Sequence, residues 1–153
     1  MKRLSDEIVR FFNKQHYVIV TTVGSDGKPH SACKGVVKIS RAGEIYLLDL
    51  YRGITSRNLE KNPRLSVTVV DEHRFKGYCL KGTGRIVKLE EVRPSLLRAW
   101  ERRLSSRITH RIIKNIRGEK GHPRHPEALL PGPKYLIAVE VSEVIDLTPA
   151  HIG

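Results

Sequence analysis

Cysteine is scarce in this chain: only Cys33 and Cys79 occur among 153 residues. Two thiols make no disulfide scaffold, and no Cys-x-x-Cys or Cys/His spacing suggests zinc, so no metal site is expected. Both cysteines fall in strand-like runs, where a free thiol behaves as a small apolar group. No apolar run approaches the roughly 20 residues needed to cross a bilayer, and the opening Met1 to Glu7 is not followed by the apolar segment of a signal peptide. A cytoplasmic protein without a membrane span is expected. Aromatic residues make up only 6% against 39% hydrophobic overall, which suits a core packed from Val, Ile and Leu. One Gln, four Asn and one Met stand beside 29% charged residues, a composition seen in proteins from hot environments. No Ser/His/Asp set, carboxylate pair or metal cluster is apparent, so side-chain acid–base chemistry is not the first expectation.

What is present is a dense run of β signals. Tyr17 to Val23 reads as a strand, and Gly24-Ser25-Asp26-Gly27 turns the chain into a second run from Pro29 to Ile39. Ser40 to Gly43 is another turn, leading to Glu44 through Leu50, so two consecutive hairpins are expected. A short helix over Arg52 to Asn62 comes next, ended by Pro63, because the residue before proline is pushed out of the α region. Arg64 to Val70 alternates Leu65, Val67 and Val69 with polar residues, the period of a strand with one buried face. At 153 residues a single domain is the simplest organisation.

The start of the short helix carries Thr55, Ser56, Arg57 and Asn58. A helix N-terminus has unpaired N–H groups and partial positive charge, and these side chains add hydroxyls, an amide and a guanidinium, a combination suited to phosphate. The plainer alternative makes Thr55 or Ser56 the N-cap and Arg57 a solvated charge.

Two hairpins feeding this helix resemble the pyridoxamine 5′-phosphate oxidase-like family of FMN-binding split barrels. The resemblance rests on Asp26-Gly27-Lys28-Pro29-His30-Ser31, Ile45-Tyr46-Leu47-Leu48 and Asn58-Leu59 followed by Asn62-Pro63, and covers residues 5–90 plus 135–147. It implies a mainly β fold, a six-stranded antiparallel split β-barrel with a basic helical insertion before the last strand. It also implies FMN as cofactor, a homodimer, and oxidoreductase chemistry at the flavin. Carried over by position, Ser31, Ala32, Cys33, Lys34, Gly35 and Val36 line the flavin ring with Leu48 and Asp49 beside it, and Thr55, Ser56, Arg57 and Asn58 hold the phosphate. Thr55 stands where many members have Lys or Arg, Ala32 where the oxidase proper has Arg, and its C-terminal substrate residues have no counterpart. The resemblance therefore implies FMN binding and leaves the substrate open. A deazaflavin or haem in the same barrel type is the alternative.

The net charge of +12 is uneven. From Arg93 to Arg124 there are ten Lys/Arg against Glu101 and Glu119, so 10 − 2 = +8 lies in one segment. Pro94 suits a first helical turn, and Leu96, Leu97, Trp100 and Leu104 share a face. Beyond Ser105-Ser106 the apolar stripe of Ile108, Ile112, Ile113 and Ile116 is rotated from the first, predicting a bend or two helices, with Arg107, Arg111, Lys114 and Arg117 opposite. A solvated insertion over 93–118 is expected, which in a dimer could guide an anionic substrate or a nicotinamide nucleotide; a nucleic-acid-binding module is the rival class, but no nucleic-acid motif accompanies it. Residues 119–134, rich in proline, read as loop. His122 and His125 lack a third ligand. Gly82 and Gly84 flank Thr83 without the third glycine of a dinucleotide fingerprint, and mark a bulge or close approach instead. Tyr135 to Ser142 closes the barrel, and a first helix from Ser5 to Lys14 covers one end.

Overall fold

The computed structural model describes residues 1–49, 53–116 and 135–151, with side chains described for all of these except 89, 104 and 107–116. Helix α1 (Asp6–Lys14) precedes strands β1 (Tyr17–Val23), β2 (Pro29–Ile39) and β3 (Glu44–Leu48). Helix α2 (Ile54–Lys61) leads to β4 (Arg64–Asp71) and β5 (Lys76–Lys88), and helix α3 (Pro94–Ile116) precedes β6 (Tyr135–Asp146). The strands close an antiparallel barrel in the order β1-β2-β3-β6-β5-β4, with β1 pairing β4. Six strands leave no free sheet edge, which removes the aggregation hazard of an open one.

The two hairpin turns form where Gly27 and Gly43 take positive φ, 76° and 89°. Gly82 marks a register shift between β5 and β6, and a Cβ there would lie 2.0 Å from the Glu140 carbonyl oxygen, so the close approach expected of this glycine is real.

Alternation sends Val18, Val20, Val36, Leu47, Val67 and Ile137 into the barrel, where they are buried. Helix α1 closes one end. Ser5 accepts a hydrogen bond from the Ile8 amide, as an N-cap should, and Ile8, Phe11 and Phe12 enter the core. Phe11 meets Tyr78 edge to face at 5.3 Å.

The outside of the barrel has two apolar faces. On one, α3 lays buried Leu96 and half-buried Leu97 and Trp100 over Val37, Leu48, Val87, Leu136 and Ala138. On the other, Cys33, Ile19, Thr68, Cys79 and Ile145 form one paired row across β2, β1, β4, β5 and β6, and no described helix covers them.

Three expectations change. Helix α2 starts at Ile54, not Arg52, with Gly53 as N-cap. Strand β3 ends at Leu48, before Asp49. Helix α3 is one continuous helix of 23 residues rather than two. Serine costs a helix only a few tenths of a kcal/mol, so Ser105-Ser106 does not end it, and the rotated stripe did not require a break. The side chains of Arg107, Arg111 and Lys114, and the whole of Arg117, His122, His125 and the 119–134 loop, lie outside the described residues.

Candidate functional site

Strand β2 carries six of the expected site residues, and its register divides them. Ala32 and Lys34 pair with inward Val20 and Val18, and Val36 lies in the barrel core. Ser31, Cys33 and Gly35 pair with Thr21, Ile19 and Tyr17 on the outward face. Directly opposed residues share a face, so a flat ring lying against one face of β2 meets the side chains of alternate residues only. Ser31 and Cys33 are exposed, and the Ser31 and Thr21 hydroxyls are 2.8 Å apart. Leu48 is turned outward beneath α3.

Lys34 is not a free cation. Its ammonium lies 2.5 Å from Oδ1 of Asp49, and the Tyr135 hydroxyl donates to Oδ2 at 3.1 Å. The Asp49 side chain is 1% exposed and that of Lys34 12%. The trio sits where β2 and β3 part, since Gly35↔Leu48 is the last pair of their ladder. Burying an ion pair costs desolvation, and its second carboxylate oxygen must also be satisfied, which Tyr135 does. Sequence reasoning placed Lys34 and Asp49 in the site but missed Tyr135. The signal was there, because an aspartate ending an apolar run and a lysine at an inward β2 position need each other.

At the start of α2 the donors are real but differently arranged from the simple cap. Gly53 supplies no side chain, so the first turn has no side-chain cap hydrogen bond. Thr55 and Ser56 are buried inside that turn, and the Ser56 hydroxyl has no hydrogen-bond partner. A buried unpaired hydroxyl costs about 1–3 kcal/mol, so this atom needs a reason. Arg57 is exposed. Asn58 turns into the barrel, where its amide donates to Oγ1 of buried Thr22 at 3.0 Å and ties α2 to β1. Asn58 therefore positions the turn.

Arg103, expected on a solvated face, reaches back across the barrel wall. Its guanidinium donates to the Val36 carbonyl and to Oδ1 of Asn13, each at 2.6 Å. The register slips between Val36 and Lys38, so Val37 is an extra residue. Such a bulge disrupts the ladder locally, and the guanidinium binds the carbonyl beside it. Arg93, Arg98 and Arg102 are exposed.

The described ionisation shifts lie at the opposite end. Glu7 on α1 is held below its usual range, first by a hydrogen bond from Lys76 and then by that ammonium's charge, and Lys76 is raised in turn chiefly by its hydrogen bond to Glu7. Asp146 is lowered by hydrogen bonds from Thr148. These groups fasten α1 and the end of β6 and are not near the β2–α2 region in sequence or register.

The fold and this arrangement define a split-barrel protein whose uncapped helix start adjoins a strand with a solvent-facing side. The family model described as pyridoxamine 5′-phosphate oxidase matches residues 4–146, and the chain belongs to that family. Among solved structures it is similar to HupZ of Group A Streptococcus, with 18% identity, 95% of this chain and 94% of that chain covered, and a TM-score of 0.66. A Clostridium acetobutylicum protein related to general stress protein 26 of the pyridoxinephosphate oxidase family has 16% identity, coverage of 96% and 95%, and a TM-score of 0.56. An F420 reductase has 15% identity, coverage of 93% and 98%, and a TM-score of 0.58. At these identities the likeness is one of fold. No curated protein matches the sequence.

Proposed function

We propose that this chain binds FMN and works as an oxidoreductase of the pyridoxamine 5′-phosphate oxidase class, as a homodimer with the flavin beside the outward face of β2. The observation that carries the reading is the buried, unpartnered Ser56 hydroxyl in the first turn of a helix that lacks a side-chain cap. A phosphate offers acceptors for that hydroxyl and for the open amides of the same turn, and exposed Arg57 adds a charge. Family membership over nearly the whole chain supports the same group.

When bound, FMN supplies the hydride or electron transfer, and the protein supplies binding, orientation and electrostatics. Thr55, Ser56 and Arg57 hold the phosphate end, with Asn58 fixing the turn through Thr22. Ser31, Cys33 and Gly35 offer the outward side of β2 to the ring, while Ala32 and Val36 fill the wall behind it. Lys34, neutralised by Asp49, holds the β2–β3 parting together and brings no net charge with it. The exposed arginines of α3 suit an anionic substrate or a nicotinamide nucleotide.

The test is the cofactor content of the purified protein, followed by titration. A yellow preparation that releases FMN on heating is expected, and Arg57→Ala should weaken FMN by about one to two powers of ten. An unchanged titration for that variant moves the phosphate elsewhere. The likeness to an F420 reductase favours a deazaflavin as the second reading, recognised by its own absorbance in the released cofactor.

A further inference from the structure

The hairpin between β4 and β5 ends in an unusual residue. Phe75, which comes directly after the one-turn 3-10 helix Glu72–Arg74, has φ 50° and ψ 38°, the left-handed conformation. Among the described residues it is the one non-glycine with positive φ. For a bulky L-residue this conformation is disfavoured by contact between Cβ and the backbone, and a glycine would adopt it freely. The side chain gains nothing visible in exchange, since Phe75 is 65% exposed. An aromatic residue held in an unfavourable conformation and left in water is a cost that the isolated chain does not recover.

Its surroundings show where the return lies. Phe75 ends the hairpin whose outward residues Val70 and Gly77 pair on the uncovered barrel face. Leu147 donates its amide to the Gly77 carbonyl beside them. Of the seven large hydrophobic residues exposed among those described, five (Tyr17, Ile19, Val70, Phe75 and Leu147) lie on this face or at its end. One edge of the face is the polar row Ser31, Thr21, Ser66, Lys81 and Glu143. Apolar centre, polar rim and an aromatic residue at the margin are the anatomy of a protein interface.

We infer that Phe75 is an anchor by which a second copy of this chain docks on the uncovered face, a step that rests on the two-copy reading above. Charge selects that occupant. The chain is strongly basic, yet Lys81 on this face is paired with Glu143 at 3.5 Å and Lys76 behind it with Glu7, so a second basic copy can approach there without repulsion. The opposite charges of Lys81 and Glu143 are also self-complementary across a two-fold axis. Burying Phe75 in the partner repays the conformation that the isolated hairpin holds at a loss.

Sedimentation equilibrium of the full-length protein, with its melting temperature measured at low and high concentration, tests this. Phe75→Gly should raise the subunit dissociation constant about thirtyfold or more, the effect of removing a central aromatic anchor, while leaving the melting temperature of the dilute chain equal or higher. Phe75→Leu should recover part of the affinity, and Val70→Ser should weaken it without touching the hairpin conformation. A wild-type monomer would overturn the two-copy reading and the anchor with it. A wild-type dimer whose dissociation constant is unmoved by Phe75→Gly and Phe75→Leu would overturn the anchor alone. Monomers that sediment with phosphatidylserine vesicles in a Phe75-dependent way would replace the second copy by a membrane surface.

Discussion

The barrel wall has two apolar outsides built from the same kind of strand, and only one is covered. Beneath α3, Val37, Leu48, Leu136 and Ala138 are buried, whereas across β1, β4 and β5 the outward Ile19 and Val70 stay open to water. The difference lies in where the chain goes after each strand. The chain leaving β5 forms a helix whose Leu96, Leu97 and Trp100 return to the wall, and Arg103 locks it to the Val36 carbonyl. Nothing comparable among the described residues returns to the β1–β4–β5 side. Apolar strand positions thus do not by themselves say whether the chain or a partner will cover them.

The contrast can be broken most forcefully from the covered side. Leu96→Ala should lower unfolding stability by about 2–4 kcal/mol at every protein concentration, because it leaves a cavity between α3 and the wall. Denaturant unfolding measured at two concentrations checks this, and a concentration-dependent loss would mean that α3 belongs to an interface instead. Arg103→Met removes a charge-assisted tie and should cost about 1.5–3 kcal/mol by the same measurement, with FMN titration unchanged. On the bare side, Ile19→Ser should leave dilute-solution stability within about 0.5 kcal/mol and reduce stability only where subunits associate. A large loss at high dilution would show that the face packs within one chain.

The smallest effect lies away from both faces. Because Glu7 is lowered when folded, its tie to Lys76 contributes stability that is present above the ordinary glutamate range, about pH 4.3, and is lost as pH falls through the folded value. Lys76 is raised, so its share persists through neutral pH and fades only as strongly alkaline pH is reached. The melting-temperature difference between wild type and Glu7→Gln should hold steady from about pH 6 to 9 and shrink toward acid. A difference that grows on acidification would show that this pair is not the source.

Local patterns were legible where one physical rule acted alone. The hairpins came from turn residues and alternation, so β1 and β2 fall on the expected residues, and Pro63 closed α2 as its geometry requires. The N-cap was misread because Thr55 and Ser56 are good caps by type, yet the turn buries both and puts Gly53 in the cap position. Arg103 was misread because an arginine on a helix that looked solvated gives no sign that a bulge far back in β2 will leave a carbonyl within its reach.

The sequence alone determined the order of strands and helices, their inward and outward residues, and the family, because these depend on near neighbours in the chain and on the period of apolar residues. Only the tertiary structure decided that Lys34 is spent on Asp49 and Tyr135, that Ser56 is left without a partner, and that α3 covers one apolar face while Phe75 borders the other. Each of these joins groups far apart in sequence, and whether a charge is paired or an apolar surface is covered depends on what the closed barrel brings within a few ångströms.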